Sequence, residues 1–397
     1  MLQVIGRSLL VFVLLLGPPS AGAHHQAGKL HQGARGEART KLETAYERQR
    51  ERIARAYRDY EKKVARVWGG EVVLPDARRD VTYRDRMRQR SIVDYAEGVV
   101  KVEVAMSPGS AEQRAAAIHR LEQAIEQTIL QGPDSRSIVE IAADPEPPES
   151  ESISVLAELI ADDDGRPFDP EELADFAAAK SRGLRMRSLR GRDGKARIVV
   201  SAELRMVPDH IRVRAEKFRD SVERYAAEHD IPEPLIYAII ETESSFNPRA
   251  RSPIPAFGLM QLVPERAARD AYKFLHARDR VVNERYLYVP DKNIELGVAY
   301  LRILYHRYFR AIEDPETRLW AAIAAYNGGA RSVIKAFVGR YRKKKWSSSY
   351  VWKRAAFRQI NAMTPEAVYQ HLRRRLPAGE TRRYLKKVRT RMAKYRA

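Results

Sequence analysis

The chain has 397 residues, 44% hydrophobic and 31% charged, a globular composition long enough for two or three folded units and not that of a disordered chain. Its 72 Lys and Arg against 52 Asp and Glu give a formal charge of +20, which favours anionic partners: nucleic acid, anionic lipid or an acidic polymer. The absence of cysteine excludes disulfides, a thiolate nucleophile, a Cys-based zinc site and acylation of a Cys after a signal sequence.

The first 23 residues read as a secretory signal. Arg7 supplies the charge, "LLVFVLLL" (Leu9–Leu16) the apolar stretch, and "GPPSAGA" a small-residue cleavage site after Ala23. The apolar run is short for a spanning helix, so an uncleaved anchor is the lesser reading. Export argues against nucleic acid as the partner. From 24 to 65 the chain is charged, with Ile53, Tyr57, Tyr60 and Val64 at helical spacing, a helix that either docks on the next domain or serves as a basic tether.

Residues 66–208 read as a mixed α/β domain. Val100, Val102 and Val104 alternate with Lys101 and Glu103 in one strand, and Ile198, Val200 and Leu204 mark another that Pro208 ends. Between them lies a helix with Ser110 as N-cap, Gln113 in the capping-box position and Gly132 as its stop. "DPEPPESES" is a surface loop. "DDDG" (Asp162–Gly165) lacks the ligand spacing of a calcium loop and reads as a turn, and the nine histidines show no metal-binding spacing. No metal or cofactor is expected. From 209 to 397 the pattern is helical throughout, so the fold class is α+β: a mixed α/β domain followed by an all-helical one.

One helical segment, "EPLIYAIIETESSF", carries two acids. Glu243 stands three, four and seven positions from Ile240, Ile239 and Ile236, and at about 100° per residue it projects from their apolar stripe. Glu241 falls on the opposite side and reads as a solvated face residue. A carboxyl in an apolar stripe resists ionisation, which suits a general acid. A buried acid satisfied by an arginine or by backbone groups would fit this helix equally well.

The surroundings separate the two readings. Glu243–Ser244, "GLMQ" (Gly258–Gln261), "AYN" (Ala325–Asn327) and the late Tyr384 follow one another as in the lytic transglycosylases. The chain resembles that family, whose lysozyme-like (goose-type, SLT) helical domain cleaves peptidoglycan. The likeness runs upstream to about Val64, where "RVWGGEVVLPDARRDVTY" is similar to the domain preceding the catalytic one in a membrane-bound branch.

The resemblance implies that Glu243 is the catalytic acid. It places Ser252 opposite the reacting sugar's N-acetyl group, Met260 and Gln261 along the glycan groove, Tyr326 and Asn327 beside the acid, and Tyr384 closing the site. It further implies cleavage of the MurNAc-β-1,4-GlcNAc bond without water, leaving 1,6-anhydro ends, with Glu243 acting as acid and then base. The partners it implies are peptidoglycan glycan strands and cell-wall synthesis or remodelling proteins, in the periplasm of a Gram-negative bacterium, with peripheral membrane association and no nucleic acid. The membrane-bound branch is tethered through a Cys that this chain lacks. The basic stretches "RKKKW" and "RRRL" would concentrate the acidic polymer. A lysozyme-type hydrolase and a non-catalytic peptidoglycan binder stand as alternatives.

Overall fold

A computed structural model describes residues 21–109, 111–131, 134, 136–147, 156–342 and 347–396, with only the backbone of 21–42 and 111–114. The signal-like residues 1–20, Ser110, the Gln113 side chain, Gly132 and the lysines of "RKKKW" therefore lie outside the described residues. The chain separates into two units, 1–48 and 49–397. The first is helical where described, the start of α1 (Ala21–Trp68). The second is α+β and holds the sheet and the remaining helices.

Its sheet is wholly antiparallel, in the order β1-β2-β3-β5-β4: β1 (Arg79–Arg84), β2 (Gln89–Asp94), β3 (Val99–Met106), β4 (Arg185–Arg190) and β5 (Ala196–Arg205). The two alternating segments are the central pair, with Val100 opposite Leu204, Val102 opposite Ala202 and Val104 opposite Val200. Their inward side chains are buried against Leu121 and Ile125 of α2 (Ala111–Leu130). The short α3 (Ile138–Ala143) and α4 (Leu173–Arg182) complete the crossover between β3 and the edge strand β4.

The other sheet face is not solvated. Glu103, on the polar side of the β3 alternation, has no exposed surface. It accepts from Arg90 Nε at 2.7 Å and pairs with Lys101 at 2.9 Å and Arg187 at 3.1 Å. The Arg90 guanidinium lies 3.8 Å from the Trp68 ring centroid, and Trp68 Nε1 donates to the Met87 carbonyl at 2.7 Å. Ile53, Tyr57, Tyr60, Val64 and Trp68 of α1 are all buried, so the helical stripe of residues 49–68 docks and is not a free tether. Burying an arginine–glutamate pair is tolerable here because hydrogen bonds and an aromatic face replace its water.

The remainder is helical: α5 (His210–Glu216), α6 (Arg219–His229), α7 (Glu233–Ser244), α8 (Arg269–His276), α9 (Glu284–Leu287), α10 (Pro290–Arg302), α11 (Pro315–Gly328), α12 (Ala330–Val338), α13 (Ser349–Asn361), α14 (Pro365–Arg375) and α15 (Gly379–Lys394). Helix α7 is central, with Leu235, Ile236, Ala238, Ile239 and Ile240 at most 1% exposed. Polar contacts join this half to the sheet. Arg78 Nη2 donates to the Thr242 carbonyl at 3.0 Å and Asn247 Nδ2 to Asp80 Oδ1 at 3.3 Å. Arg251, itself buried, donates to the carbonyls of Asp134 and Arg136 at 2.9 and 3.0 Å.

Trp68→Ala should lower unfolding stability by about 3–5 kcal/mol, the cost of a large core truncation. Urea denaturation reads it, and a loss below about 1 kcal/mol, the usual range of surface substitutions and small core changes, would mean the helix does not dock as described.

Candidate active site

Two helices and a loop bring the acid into a cleft. Helix α7 ends where Ser245 and Phe246 adopt left-handed φ of 52° and 61°, which turns the chain sharply just beyond Glu243. The following loop is held tightly. Gly258 has φ +74°, and a Cβ there would lie 2.3 Å from both Asn293 Nδ2 and the Leu287 carbonyl. Asn293, fully buried, accepts from the Met260 amide at 2.8 Å and donates to the Phe257 and Leu287 carbonyls at 3.0 and 2.8 Å. The segment "GLMQ" is thus pinned by one asparagine. A π-helical turn, Pro264–Ala268, follows it and carries Arg266 and Ala267 into the cleft wall.

The cleft has a volume of about 990 Å³ and is lined by Glu243, Ser252, Gln261, Tyr326, Asn327 and Tyr384 among others. Glu243 is half-buried there. Loss of water pushes its pKa from 4.5 up to about 7, opposed by the Tyr384 hydroxyl and the Arg78 guanidinium and assisted by Glu380. A substantial fraction of the acid is therefore still protonated at neutrality, as the apolar stripe suggested. Burial, and then the proximity of Glu243, raise the hydroxyls of Tyr326 and Tyr384 well above the usual tyrosine range, so both remain neutral donors. Tyr384 is directed at Glu243, but its buried hydroxyl meets no regular hydrogen-bond geometry.

The other expected residues divide. Tyr326 donates to the Met260 carbonyl at 2.8 Å, which fixes its ring over the cleft floor. Thr381 Oγ1 donates to Asn327 Oδ1 at 2.7 Å, leaving the Asn327 Nδ2 as the end able to donate into the cleft. Gln261, with φ 46°, commits its Nε2 to the carbonyls of Ala250 and Gly258, each at 3.1 Å; it is a loop brace as well as a wall. Ser252 Oγ accepts from the Ile254 amide at 3.3 Å and keeps its proton free to donate. Met260 was expected along the groove and is not there. Its side chain has no exposed surface and packs on Gly297, where a Cβ would lie 2.2 Å from its sulfur. Only its carbonyl serves the site.

Glu241 also departs from expectation. It is 8% exposed, because α7 has no solvated side: α15 covers the face opposite the isoleucines. Glu241 pairs with Arg391 Nε at 3.1 Å and Lys394 at 3.4 Å, and accepts from the Tyr395 hydroxyl at 2.6 Å. Arg391 reaches on to Thr242 Oγ1 at 2.8 Å. This clamp holds α15, and with it Tyr384, against the helix that carries Glu243.

Several cleft residues carried no expectation. Asp76, Arg78, Arg79, Asp94 and Glu97 come from the sheet half, and no local pattern marks them. Thr381, Arg383 and Lys387 come from α15; Thr381 and Lys387 each stand about one turn from Tyr384, a usable signal, whereas Arg383 directly precedes it.

With this geometry the relationships to other proteins become specific. The transglycosylase SLT domain model matches residues 220–349, which hold Glu243 and most of the cleft floor. A second family model, the N-terminal domain of membrane-bound lytic murein transglycosylase C, matches 46–217. The class is therefore that of the lytic murein transglycosylases. Membrane-bound lytic murein transglycosylase C of Klebsiella pneumoniae is 35% identical over 335 residues, 84% of this chain and 86% of the relative. The chain belongs to that family. Among solved structures, it is similar to an inactive mutant of lytic transglycosylase Slt from Pseudomonas aeruginosa and to the 70 kDa soluble lytic transglycosylase of Escherichia coli. Each is 26% identical with a TM-score of 0.33 over 45% of this chain. The chain spans only 23% and 24% of those two.

The two acids should respond oppositely to neutralisation. Glu241→Ala breaks a largely buried ion pair and should cost about 3 kcal/mol. Glu243→Gln should stabilise. The acid's pKa is 4.5 when solvated and about 7 when folded, so its cost to the fold is absent below 4.5, grows as pH rises, and is complete above 7. The expected gain is up to about 3 kcal/mol at pH 8 and none at pH 4. Thermal unfolding of each variant at both pH values checks this; equal effects at the two pH values for Glu243→Gln would contradict the desolvated environment of the acid.

Proposed function

We propose that this transglycosylase cuts the MurNAc-β-1,4-GlcNAc bond of peptidoglycan without water and leaves 1,6-anhydroMurNAc ends, in cell-wall turnover and remodelling. The observation that carries the reading is a single half-buried carboxyl at the cleft floor whose pKa is pushed up to about 7. Of the other cleft carboxylates, Asp76 is bound to Arg79 Nε at 2.9 Å, and Asp94 accepts from the amides of Ala96 and Glu97, each at 3.0 Å. Among the described residues the remaining cleft carboxylates are the exposed Glu97 and Glu380, and a hydrolase with two carboxylates flanking the bond would have to draw its second from this set.

The steps use one carboxyl twice. Protonated Glu243 delivers its proton to the leaving GlcNAc oxygen as the C1–O4 bond breaks. The carbonyl oxygen of the MurNAc N-acetyl group forms a bond to C1 in its place. Glu243, now a carboxylate, removes the proton from the sugar's 6-hydroxyl, and O6 displaces the acetamido oxygen from C1. The anhydro ring closes, the N-acetyl group is restored and Glu243 is protonated again. Asn327 Nδ2 and the Ser252 and Tyr384 hydroxyls are the donors placed to orient and polarise the acetamido group.

The chain division that accompanies this reading is a signal at 1–23, a charged helix at 24–65, an N-terminal domain at 66–208 and a catalytic domain at 209–397. The site of action is the periplasm of a Gram-negative bacterium, with peripheral membrane association; among the described residues no helix is long and apolar enough to cross a membrane.

Digestion of purified sacculi followed by mass spectrometry should give ends one water lighter than reducing ends, and reducing ends would overturn the mechanism. Glu243→Gln should lose at least about a thousandfold in rate, the scale of general acid–base catalysis, with folding intact. Because the first step needs the protonated acid, kcat/KM should be level in mild acid and fall above pH of about 7; a rate that climbs through that range would count against Glu243 as the acid.

A further inference from the structure

The cleft wall beside Glu243 gathers positive charge. Arg78, from the segment entering β1, and Arg383 and Lys387, one turn apart on α15, all line the cleft. Arg78 is anchored by its bond to the Thr242 carbonyl at 3.0 Å. Arg383 and Lys387 are exposed. Among the described residues none of the three has a carboxylate within 4.0 Å. Other cations of the region are engaged: Arg79 with Asp76, and Arg391 with Glu241. Partial burial, followed by the nearness of Arg78, Arg391 and Arg383, lowers the Lys387 pKa, so these cations repel one another. Of the other acids that line this cleft, Asp76 is held by Arg79, Asp94 is turned onto backbone amides, and Glu97 and Glu380 are exposed, Glu380 standing one turn before Arg383 on the same helix.

Like charges collected on one wall of a cleft raise the local concentration of an anion and are relieved by binding one. The sugar rings of a murein strand carry no ionised group. The charge of the polymer sits on the carboxylates of the peptides borne by its muramoyl residues. Resting on the reading of this cleft as a murein site, we propose that Arg78, Arg383 and Lys387 form a carboxylate-binding subsite. It takes the stem peptide of a muramoyl residue held in the cleft, so the enzyme prefers peptide-bearing strands. The planar guanidinium groups of Arg78 and Arg383 suit a carboxylate bidentately, with Lys387 as a point charge.

Binding measured by calorimetry to Glu243→Gln protein separates recognition from catalysis. The ligands are a murein tetrasaccharide bearing Ala-Glu stems, the same molecule with the stem carboxylates converted to carboxamides, and the peptide-free tetrasaccharide, whose lactyl carboxylates are exposed. The carboxylate form should bind about tenfold more tightly than the carboxamide for each charge-assisted hydrogen bond removed. Adding R383S and K387S, both at exposed positions, should erase most of that difference. A difference that survives these changes, or no discrimination in the parent, overturns the subsite. Peptide-free ligand binding as tightly as the peptide-bearing one, and losing as much in the variant, would show that the lactyl carboxylate is read, and overturns the stem-peptide assignment. Failure of the unsubstituted chain to release anhydro ends from sacculi would sink the mechanism instead, and leaves these binding differences legible.

Discussion

The organisation of this protein turns on keeping one carboxyl group away from water. A glutamate in solution is ionised at neutrality and cannot donate a proton. Glu243 keeps a substantial protonated fraction because the helix that carries it is packed on almost every side and delivers the side chain into a cleft walled by tyrosines. The position is unfavourable for the fold at neutral pH and above. Its neighbours answer that cost without abolishing it: a guanidinium and a phenol near enough to moderate the charged form, neither close enough to make it the preferred one.

Such a group is useful only where its direction is fixed, and the means of fixing it are mostly indirect. Glu241 holds Arg391, Lys394 and Tyr395, so the helix bearing Tyr384 cannot drift from the helix bearing the acid. Asn293 pins the "GLMQ" loop from beneath, and the Met260 carbonyl in turn orients Tyr326. Thr381 sets which end of the Asn327 amide accepts. Several of the residues lining the cleft thus have a buried partner whose role is positional.

Sequence alone carried the desolvated setting of Glu243 and the outline of the fold. The alternation in β3 and β5 and the stripe in α7 are strong because burial on one face imposes a period on a chain. It was less able to say what covers the opposite face. Glu241 was read as solvated because a helical wheel contains no neighbours, and α15 lies 150 residues along the chain, roughly, from α7. The same limitation left the docking of the Ile53–Trp68 stripe open. Met260 was assigned to the groove because a motif marks a segment, not which atom of it faces the ligand; here the backbone carbonyl serves and the side chain is core. The sheet-half residues of the cleft, Arg78 foremost, were invisible for a further reason. They are brought to Glu243 by contacts between distant segments, and no spacing within "PDARRD" encodes that.

The contacts joining sheet and helices are directional. Arg78 on the Thr242 carbonyl, Asn247 on Asp80, and Arg251 on two carbonyls each tolerate little displacement before their geometry fails. Apolar surfaces can slide over one another; these groups cannot without leaving polar atoms buried and unmatched. The gap between the two walls is consequently a gauge of fixed span, not a jaw. The room open to a ligand between them is set by these polar contacts and not by apolar packing.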